Sequence, residues 1–148
     1  QVVATDISSS ALELAQENAV SNKLSDKVSF HLGNWDEALP KDEAAFDLIV
    51  SNPPYLSRQE WECTQPEVKD HDPKLALVSE NQGGDHLLHI LTEAKQYLCH
   101  GGLLAMETGE LHHEALIKRA QESGLSNAKG IEDLSKRPRF FLTEQQSK

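Results

Sequence analysis

Residues 46–55 read Phe-Asp-Leu-Ile-Val-Ser-Asn-Pro-Pro-Tyr. The apolar run Phe46–Ser51 is typical of a strand that is covered on both faces of a parallel sheet, and the prolines at 53 and 54 prevent a strand or helix from continuing. Ligands gather at the carboxyl ends of strands in such sheets. This stretch therefore predicts an α/β protein with a candidate site directly after the strand.

Hydrophobic periodicity extends the same alternation of strands and helices along the chain. Further strands are predicted at Val2–Thr5, Val28–Leu32, Leu103–Met106, Ala128–Glu132 and Arg139–Thr143. Helices are predicted after Ser8–Ser10, ending near Asn22; from a cap at Asp85 to a stop at His100–Gly102; and around Leu116–Ala120, with a stop at Gly124. The polar segment 56–84, broken by two prolines, is predicted as a long loop or short helices. This order indicates a mostly parallel sheet with helices on its faces.

Bulk composition limits the classes of protein that fit. A length of 148 residues with 38% hydrophobic content suits one domain. No stretch of eighteen apolar residues occurs, so we expect no membrane partner. Cys63 and Cys99 stand apart without a CxxC pair, which argues against a disulfide framework and a metal site. The formal charge of -10 disfavours a nucleic-acid partner, because such proteins usually carry a basic face.

The residues after the Phe46–Ser51 strand suit a flat NH₂ group. An amide nitrogen is a poor nucleophile because its lone pair is delocalised, and positioned acceptors overcome this. The Asn52 side-chain oxygen can accept one N–H, the Pro53 carbonyl can accept the other, and Tyr55 can stack on the planar group. The alternative is that Asn-Pro-Pro is only a turn, since these residues are common turn formers.

Two other predicted strands also end in polar residues. Asp6 closes the first strand, where a carboxylate can bind the two hydroxyls of a ribose, although an Asp before three serines is equally typical of a turn or helix start. Asn34 and Trp35 follow the second strand and can flank an adenine, but a Trp at this position also suits core or rim packing. Both interpretations stay open on position alone.

Three further motifs favour structural roles. His112 and His113 are neighbours on a predicted helix and point apart, so they do not suit a metal site. Gly83-Gly84-Asp85 lacks the Lys-Ser/Thr of a phosphate-binding loop and favours helix capping. The basic cluster Lys136–Arg139 is short and favours a solvated turn.

A family resemblance rests on five motifs spread over nearly the whole chain. Asp47–Leu56 resembles motif IV of class I S-adenosylmethionine (SAM) methyltransferases that modify planar nitrogens. The wider set resembles the HemK/PrmC family, which methylates the glutamine of the Gly-Gly-Gln loop in peptide chain release factors; it comprises Ala4–Ile7, Gly33–Trp35, Leu75–Val78 and Glu107–Gly109. His71–Pro73 and Leu75–Val78 match the family segment that lies beside motif IV, and Arg137–Phe140 matches a family ending before the last strand.

The resemblance implies a fold, a cofactor and a set of site residues. The implied fold is a Rossmann-like class I methyltransferase, with a mostly parallel sheet and an antiparallel last strand, and the implied cofactor is SAM. Asp6 would bind its ribose, Asn34 and Trp35 its adenine, and Asn52 would lie at both methyl donor and acceptor. Asn34 stands where the family often has Asp. The substrate glutamine would be gripped by Asn52, Pro53, Pro54 and Tyr55, of which Asn52, Pro53 and Tyr55 are the implied catalytic residues.

The chain opens on an apolar run, Gln1–Ala4, as if cut within a domain. The first strand and glycine-rich loop of the family would lie upstream of Asp6, together with its N-terminal helical domain. We therefore expect residues 1–148 to be a partial catalytic domain that binds SAM weakly or not at all and is inactive alone.

The predicted partner is a peptide chain release factor, met in the bacterial cytoplasm or the mitochondrion by a monomeric enzyme. Two rival activities keep the same site: an amino methyltransferase acting on adenine or cytosine, which the acidic charge disfavours, and a glutamine methyltransferase acting on a ribosomal protein. A different class of protein is a non-catalytic Rossmann-like module that uses the loop after the strand for protein contact.

Overall fold

The computed structural model describes residues 1–39 and 45–146. Its internal contacts divide the chain into a first unit, Gln1–Glu43, and a second unit, Ala44–Lys148. No helix in the described ranges is both long enough and apolar enough to cross a membrane. The order of strands and long helices is the predicted one, so the α/β class is confirmed.

The first unit contains a strand, a helix and a second strand: β1 (Val2–Asp6), α1 (Ser9–Ser21) and β2 (Val28–Leu32). β1 and β2 pair in parallel. As predicted, α1 begins after a serine cap, since the Ser8 hydroxyl accepts from the Ala11 N–H, and it ends near Asn22, which is its C-cap. A short 3₁₀ turn, Trp35–Ala38, follows β2.

The second unit contains a four-stranded sheet: β3 (Phe46–Ser51), β4 (Leu98–Glu107), β5 (Leu125–Glu132) and β6 (Pro138–Gln145). The strand order is β3-β4-β6-β5. β3 and β4 are parallel, while β6 is antiparallel to both of its neighbours. β3, β4 and β5 therefore run in one direction and the last strand in the other, which confirms the predicted antiparallel ending.

Four helices connect these strands: α2 (Arg58–Glu62), α3 (Pro66–His71), α4 (Asp85–Tyr97) and α5 (His113–Glu122). Of the two predictions for segment 56–84, short helices are correct. α2 begins with a capping box, in which Ser57 and Glu60 each accept from the other's backbone N–H. Two 3₁₀ turns, Lys74–Ala76 and Asn81–Gly83, complete the segment.

The core of the second unit lies on one face of its sheet. Leu104 pairs with Thr143 and Met106 with Phe141, and all four side chains are buried. α4 and α5 contribute further fully or nearly fully buried side chains, among them Leu87, Leu91, Leu116 and Ala120. Burial of each leucine stabilises the fold by about 1.5–3 kcal/mol. This core holds the ends of β4 and β6 in a fixed relation.

The prediction that β3 is covered on both faces is wrong in this structure. Leu48 and Val50 are 52% and 70% exposed. β3 lies at the edge of the four-stranded sheet, and Val50 pairs with Ala105 on the face opposite the buried Leu104. An apolar run indicates side chains that favour burial, but the neighbouring elements decide which of them are covered.

Both predicted ends of α4 need correction. Gly84 occupies the cap position, while Asp85 is the first helical residue and accepts from the Asn81 side chain at 2.5 Å. The helix ends at Tyr97, and the predicted stop His100–Gly102 lies within β4, where the register with β3 shifts. A Cβ atom on Gly102 would lie 2.8 Å from the Phe46 carbonyl oxygen. The glycine is therefore needed for close strand packing rather than for ending the helix.

Candidate active site

The segment Asn52–Tyr55, called the clamp below, leaves the end of β3. Pairing between β3 and β4 ends at Ser51 and Met106, so Asn52 is the first residue beyond it. Asn52 is exposed, Pro53 and Pro54 are buried, and Tyr55 is half-buried. Within the described part of the chain, no residue hydrogen-bonds to the Asn52 side chain. The prolines thus anchor the segment while the amide of Asn52 remains accessible.

The hydroxyl of Tyr55 is held by two charged side chains. It donates to Glu107 Oε1 at 2.6 Å, and Arg139 Nη1 donates to it at 3.1 Å. Burial raises the pKa of Tyr55, the hydrogen bond and charge of Glu107 raise it further, and Arg139 opposes this. Tyr55 therefore stays neutral, with its proton directed at Glu107.

The backbone after the clamp is tied to the segment 77–79. The Leu56 N–H donates to the Leu77 carbonyl and the Ser79 N–H donates to the Leu56 carbonyl, both at 2.9 Å, and Leu56 and Val78 form a parallel bridge. The resemblance placed Leu75–Val78 beside motif IV, and its last two residues do lie there. These hydrogen bonds fix the backbone directly after the clamp, although it lies outside the sheet.

Gly83 packs directly beneath Tyr55. Its φ angle is +87°, and a Cβ atom on it would lie 2.0 Å from the Tyr55 carbonyl oxygen. His112 holds this turn in place: its Nδ1 accepts from the Gly109 N–H at 3.1 Å. Its Nε2 lies 3.0 Å from the Gln82 carbonyl and must donate to it, because a carbonyl only accepts. Gly83 therefore has a packing role next to the clamp instead of a capping one.

His113 is directed elsewhere, as expected for neighbours on a helix. Its Nε2 lies 2.9 Å from the hydroxyl of the buried Thr108. Burial lowers the pKa of His113, and the charge of His112 lowers it further. In the described residues no group of three or more His, Cys, Asp or Glu side chains is arranged to hold a metal ion. Both histidines thus organise the loop after β4.

An open cavity of about 260 Å³ adjoins the clamp in the second unit. Asn52 and Glu107 supply polar atoms to its wall. Its other lining residues are mainly apolar and come from β3, β4 and β6: Val50, Ser51, Ala105, Met106, Phe140 and Leu142. Asn52 and Glu107 therefore lie at the wall of one concave space on the second unit.

The predicted cofactor residues lie together in the first unit. The Gly33 N–H donates to the Asp6 carbonyl at 3.0 Å, so Asn34 and Trp35 follow at the same sheet edge as Asp6. One carboxylate oxygen of Asp6 accepts from the Ser8 N–H at 2.8 Å, as the turn interpretation predicted. Asp6 and Asn34 are exposed, and Trp35 has a φ angle of 50°, which is rare for a bulky residue. Binding of a ribose and an adenine here stays a prediction.

Glu107 and Arg139 were not predicted as site residues. A sequence signal existed for Glu107, because it closes a strand beside the one that carries the clamp. For Arg139 the only signal was the family match of Arg137–Phe140, because Arg139 is 84 residues from Tyr55 and reaches it only through the pairing of β6 with β4. Of the basic cluster that contains it, Lys136 lies in a turn, since its N–H donates to the Asp133 carbonyl, whereas Arg139 lies in β6.

A family model described as "Methyltransferase domain" matches residues 1–145, and the chain belongs to that family. It is also similar, at 19% identity and a TM-score of 0.71, to a methyltransferase structure from Pyrococcus furiosus, covering 99% of this chain and 63% of that one. This last likeness concerns the fold alone.

More specific similarity is found among curated bacterial proteins. The chain is 36% identical over 141 residues to the release factor glutamine methyltransferase of Aliivibrio fischeri, covering 95% of this chain and 49% of that protein. It is 38% identical over 148 residues to the ribosomal protein uL3 glutamine methyltransferase of Bordetella pertussis, covering 99% and 47%. The chain thus spans about half the length of these relatives.

Proposed function

We propose that this chain is the catalytic part of an enzyme that transfers a methyl group from SAM to the side-chain amide nitrogen of a glutamine, in the Gly-Gly-Gln motif of peptide chain release factors. One observation carries the proposal: an exposed Asn52 stands directly beyond a strand end, fixed by two buried prolines and a tethered Tyr55. The similarity to release factor glutamine methyltransferases supports the choice of substrate.

The clamp residues would orient the nucleophile. Asn52 Oδ1 and the Pro53 carbonyl each accept one N–H of the glutamine amide, which fixes the nitrogen and stabilises the positive charge that develops on it. Pro54 anchors the loop, and the flat ring of Tyr55 supports the plane of the amide. The nitrogen loses one proton to solvent after the new C–N bond forms. Tyr55 is not required as a base, because its proton is held by Glu107.

The first unit would hold the cofactor. Bound SAM would supply an electrophilic methyl group on a sulfonium, and loss of that methyl group would leave the sulfur as a neutral thioether. Asp6 is exposed and keeps one carboxylate oxygen for ribose hydroxyls, while the exposed Asn34 suits the exocyclic amine of adenine. Trp35 would flank the adenine ring. The donor and acceptor types at this sheet edge therefore fit the nucleoside part of SAM.

A second candidate substrate is a glutamine of ribosomal protein uL3. It is favoured by the uL3-modifying relative, whose identity to this chain is as high as that of the release-factor enzymes. Both substrates present the same amide to the same clamp, so the residues described here do not separate them. Nucleic-acid amines are a weaker candidate, because the net charge of -10 opposes a phosphate backbone. We expect action in the bacterial cytoplasm or the mitochondrion.

Mass spectrometry of candidate substrates tests the proposal. The full-length protein is incubated with SAM in separate reactions, each of which contains one candidate substrate. The candidates are a purified release factor, uL3, and short DNA and RNA strands. We expect a gain of about 14 Da, one CH₂, on the Gly-Gly-Gln peptide alone. A release factor whose motif glutamine is replaced by glutamate is the control and should gain nothing. Methylation of uL3 only would move the substrate to the second candidate, and modified nucleic acid only would refute glutamine as the acceptor.

A further inference from the structure

The Tyr55 hydroxyl connects three separate parts of the second unit. Tyr55 lies four residues beyond β3, Glu107 is the last residue of β4, and Arg139 is the second residue of β6. A phenol has one proton to donate and lone pairs to accept with. Its donation to Glu107 at 2.6 Å and acceptance from Arg139 at 3.1 Å use both capacities. Ionic partners at such distances make the stronger class of hydrogen bond.

Arg139 is itself oriented from the turn between β5 and β6. Its Nε lies 3.9 Å from Asp133 Oδ2. Asp133 Oδ1 accepts from the N–H groups of Ser135 at 2.7 Å and Arg137 at 3.0 Å. The hydrogen bond from the Arg137 backbone is the largest cause that lowers the pKa of Asp133, so this carboxylate stays ionised. A chain of contacts thus runs from the β5–β6 turn to the clamp.

These contacts determine the orientation of the Tyr55 ring. A tyrosine side chain has two rotatable torsions, and its backbone is already fixed by Gly83 and by the bonds around Leu56. Because the hydroxyl at the far end of the side chain is also hydrogen-bonded, the ring can adopt only one orientation. Glu107 also lines the cavity that Asn52 lines, so the tether lies next to the clamp amide. The Tyr55 ring is therefore held in one orientation by the two hydrogen bonds of its hydroxyl.

We infer that Glu107 and Arg139 are positioning residues for methyl transfer, acting through the Tyr55 hydroxyl to hold the ring against the planar amide of the substrate. The inference rests on the proposed function. It predicts that loss of either partner lowers kcat, because a misplaced wall loosens the reacting geometry. The KM for SAM should change little, since neither residue belongs to the predicted cofactor site.

A double-mutant cycle in the full-length protein tests whether Glu107 acts through Tyr55. We expect Glu107→Gln and Tyr55→Phe each to lower kcat about 10-fold, with the KM for SAM changed less than about 2-fold. The double variant should be no slower than Tyr55→Phe alone, because the hydroxyl that Glu107 holds is already gone. Glu110→Gln, three residues away and exposed, is the matched control and should leave kcat unchanged. Additive losses in the cycle would overturn the inference.

Arg139→Gln tests the second partner in the same assay. We expect a loss of about 3- to 10-fold in kcat that Arg139→Lys partly restores, because a lysine keeps the positive charge as well as a donor for the hydroxyl. Circular dichroism of each variant must match the parent. Unchanged kcat in Arg139→Gln would remove Arg139 from the inference.

A spectrophotometric titration of tyrosine gives a readout that does not need activity. The difference between the parent and Tyr55→Phe isolates the ionisation of Tyr55, and Glu107→Gln should lower its pKa towards the ordinary value of about 10. A Tyr55 that titrates identically in Glu107→Gln would contradict the tether. A second outcome is that the Tyr55 pKa falls in Glu107→Gln but the parent methylates no glutamine substrate. The proposed function then fails, and the inference fails with it. The hydrogen bonds of Tyr55 would in that case have a structural role only.

Discussion

Asn52 is the residue on which the proposed chemistry depends most directly. Asn52 is the exposed residue of the clamp, and the donor that its side-chain oxygen would bind belongs to the substrate. The sequence indicates this role because proline forces the chain out of the strand directly after it. The role of Tyr55 is less visible in sequence, since the partners of its hydroxyl lie 52 and 84 residues away.

Replacement of Asn52 separates catalysis from cofactor binding. Asn52→Ala removes an acceptor aimed at developing charge, so we expect kcat to fall about 100- to 1,000-fold. SAM affinity, measured by calorimetric titration, should fall far less. Asn52→Asp keeps an oxygen in place and is the matched variant, with a smaller loss expected. A turnover of Asn52→Ala within about 2-fold of the parent would exclude the catalytic role.

At the scale of elements, the clamp depends on a turn far from it in sequence. The 3₁₀ turn Asn81–Gly83 places Gly83 against the Tyr55 carbonyl, and His112 ties that turn to the loop after β4. The sequence predicted short helices in this segment and helix capping for Gly83-Gly84-Asp85, and Gly84 does occupy the cap position of α4. The close approach of Gly83 to Tyr55 was not predicted, because it is a tertiary contact that no local pattern encodes.

Adjacent glycines provide a matched test of this contact. Gly83→Ala meets both a positive φ and a Cβ position 2.0 Å from a carbonyl oxygen, whereas a Cβ on Gly84 would lie 3.5 Å from its nearest neighbour. We expect Gly83→Ala to lower the free energy of unfolding by about 2–4 kcal/mol and Gly84→Ala by less than about 1 kcal/mol. Urea unfolding of both variants measures the difference. Equal stabilities would contradict the described packing of the turn.

At the scale of the whole molecule, a core on one sheet face supports the site. The helices α4 and α5 cover the side of the sheet that carries Leu104, Met106 and Phe141. These three residues lie on β4 and β6. Glu107 is the last residue of β4, and Arg139 lies in β6. Site geometry therefore depends on packing beneath it. The sequence predicted the two helices and their apolar stripes, but not that β3 lies at a sheet edge with Val50 exposed.

Two leucines of α4 test this core with the same chemical change. Leu91 is fully buried, whereas Leu88 is 37% exposed on the same helix. We expect Leu91→Ala to lower the free energy of unfolding by about 2–5 kcal/mol, and Leu88→Ala by about 1 kcal/mol or less, because only the first leaves a cavity. Denaturant unfolding in the full-length protein checks both. If Leu88→Ala lowers the free energy of unfolding as much as Leu91→Ala does, the core is not placed as described.

The sequence by itself determined the order of strands and helices, the antiparallel last strand through the family resemblance, and the strand end at which Asn52 stands. These features follow from side-chain periodicity and from proline, which act over a few residues. Only the tertiary structure decided that Glu107 and Arg139 meet at Tyr55, that Gly83 packs beneath it, and that one face of β3 is exposed. Those contacts depend on strand register and sheet order, which bring together residues that are distant in the chain.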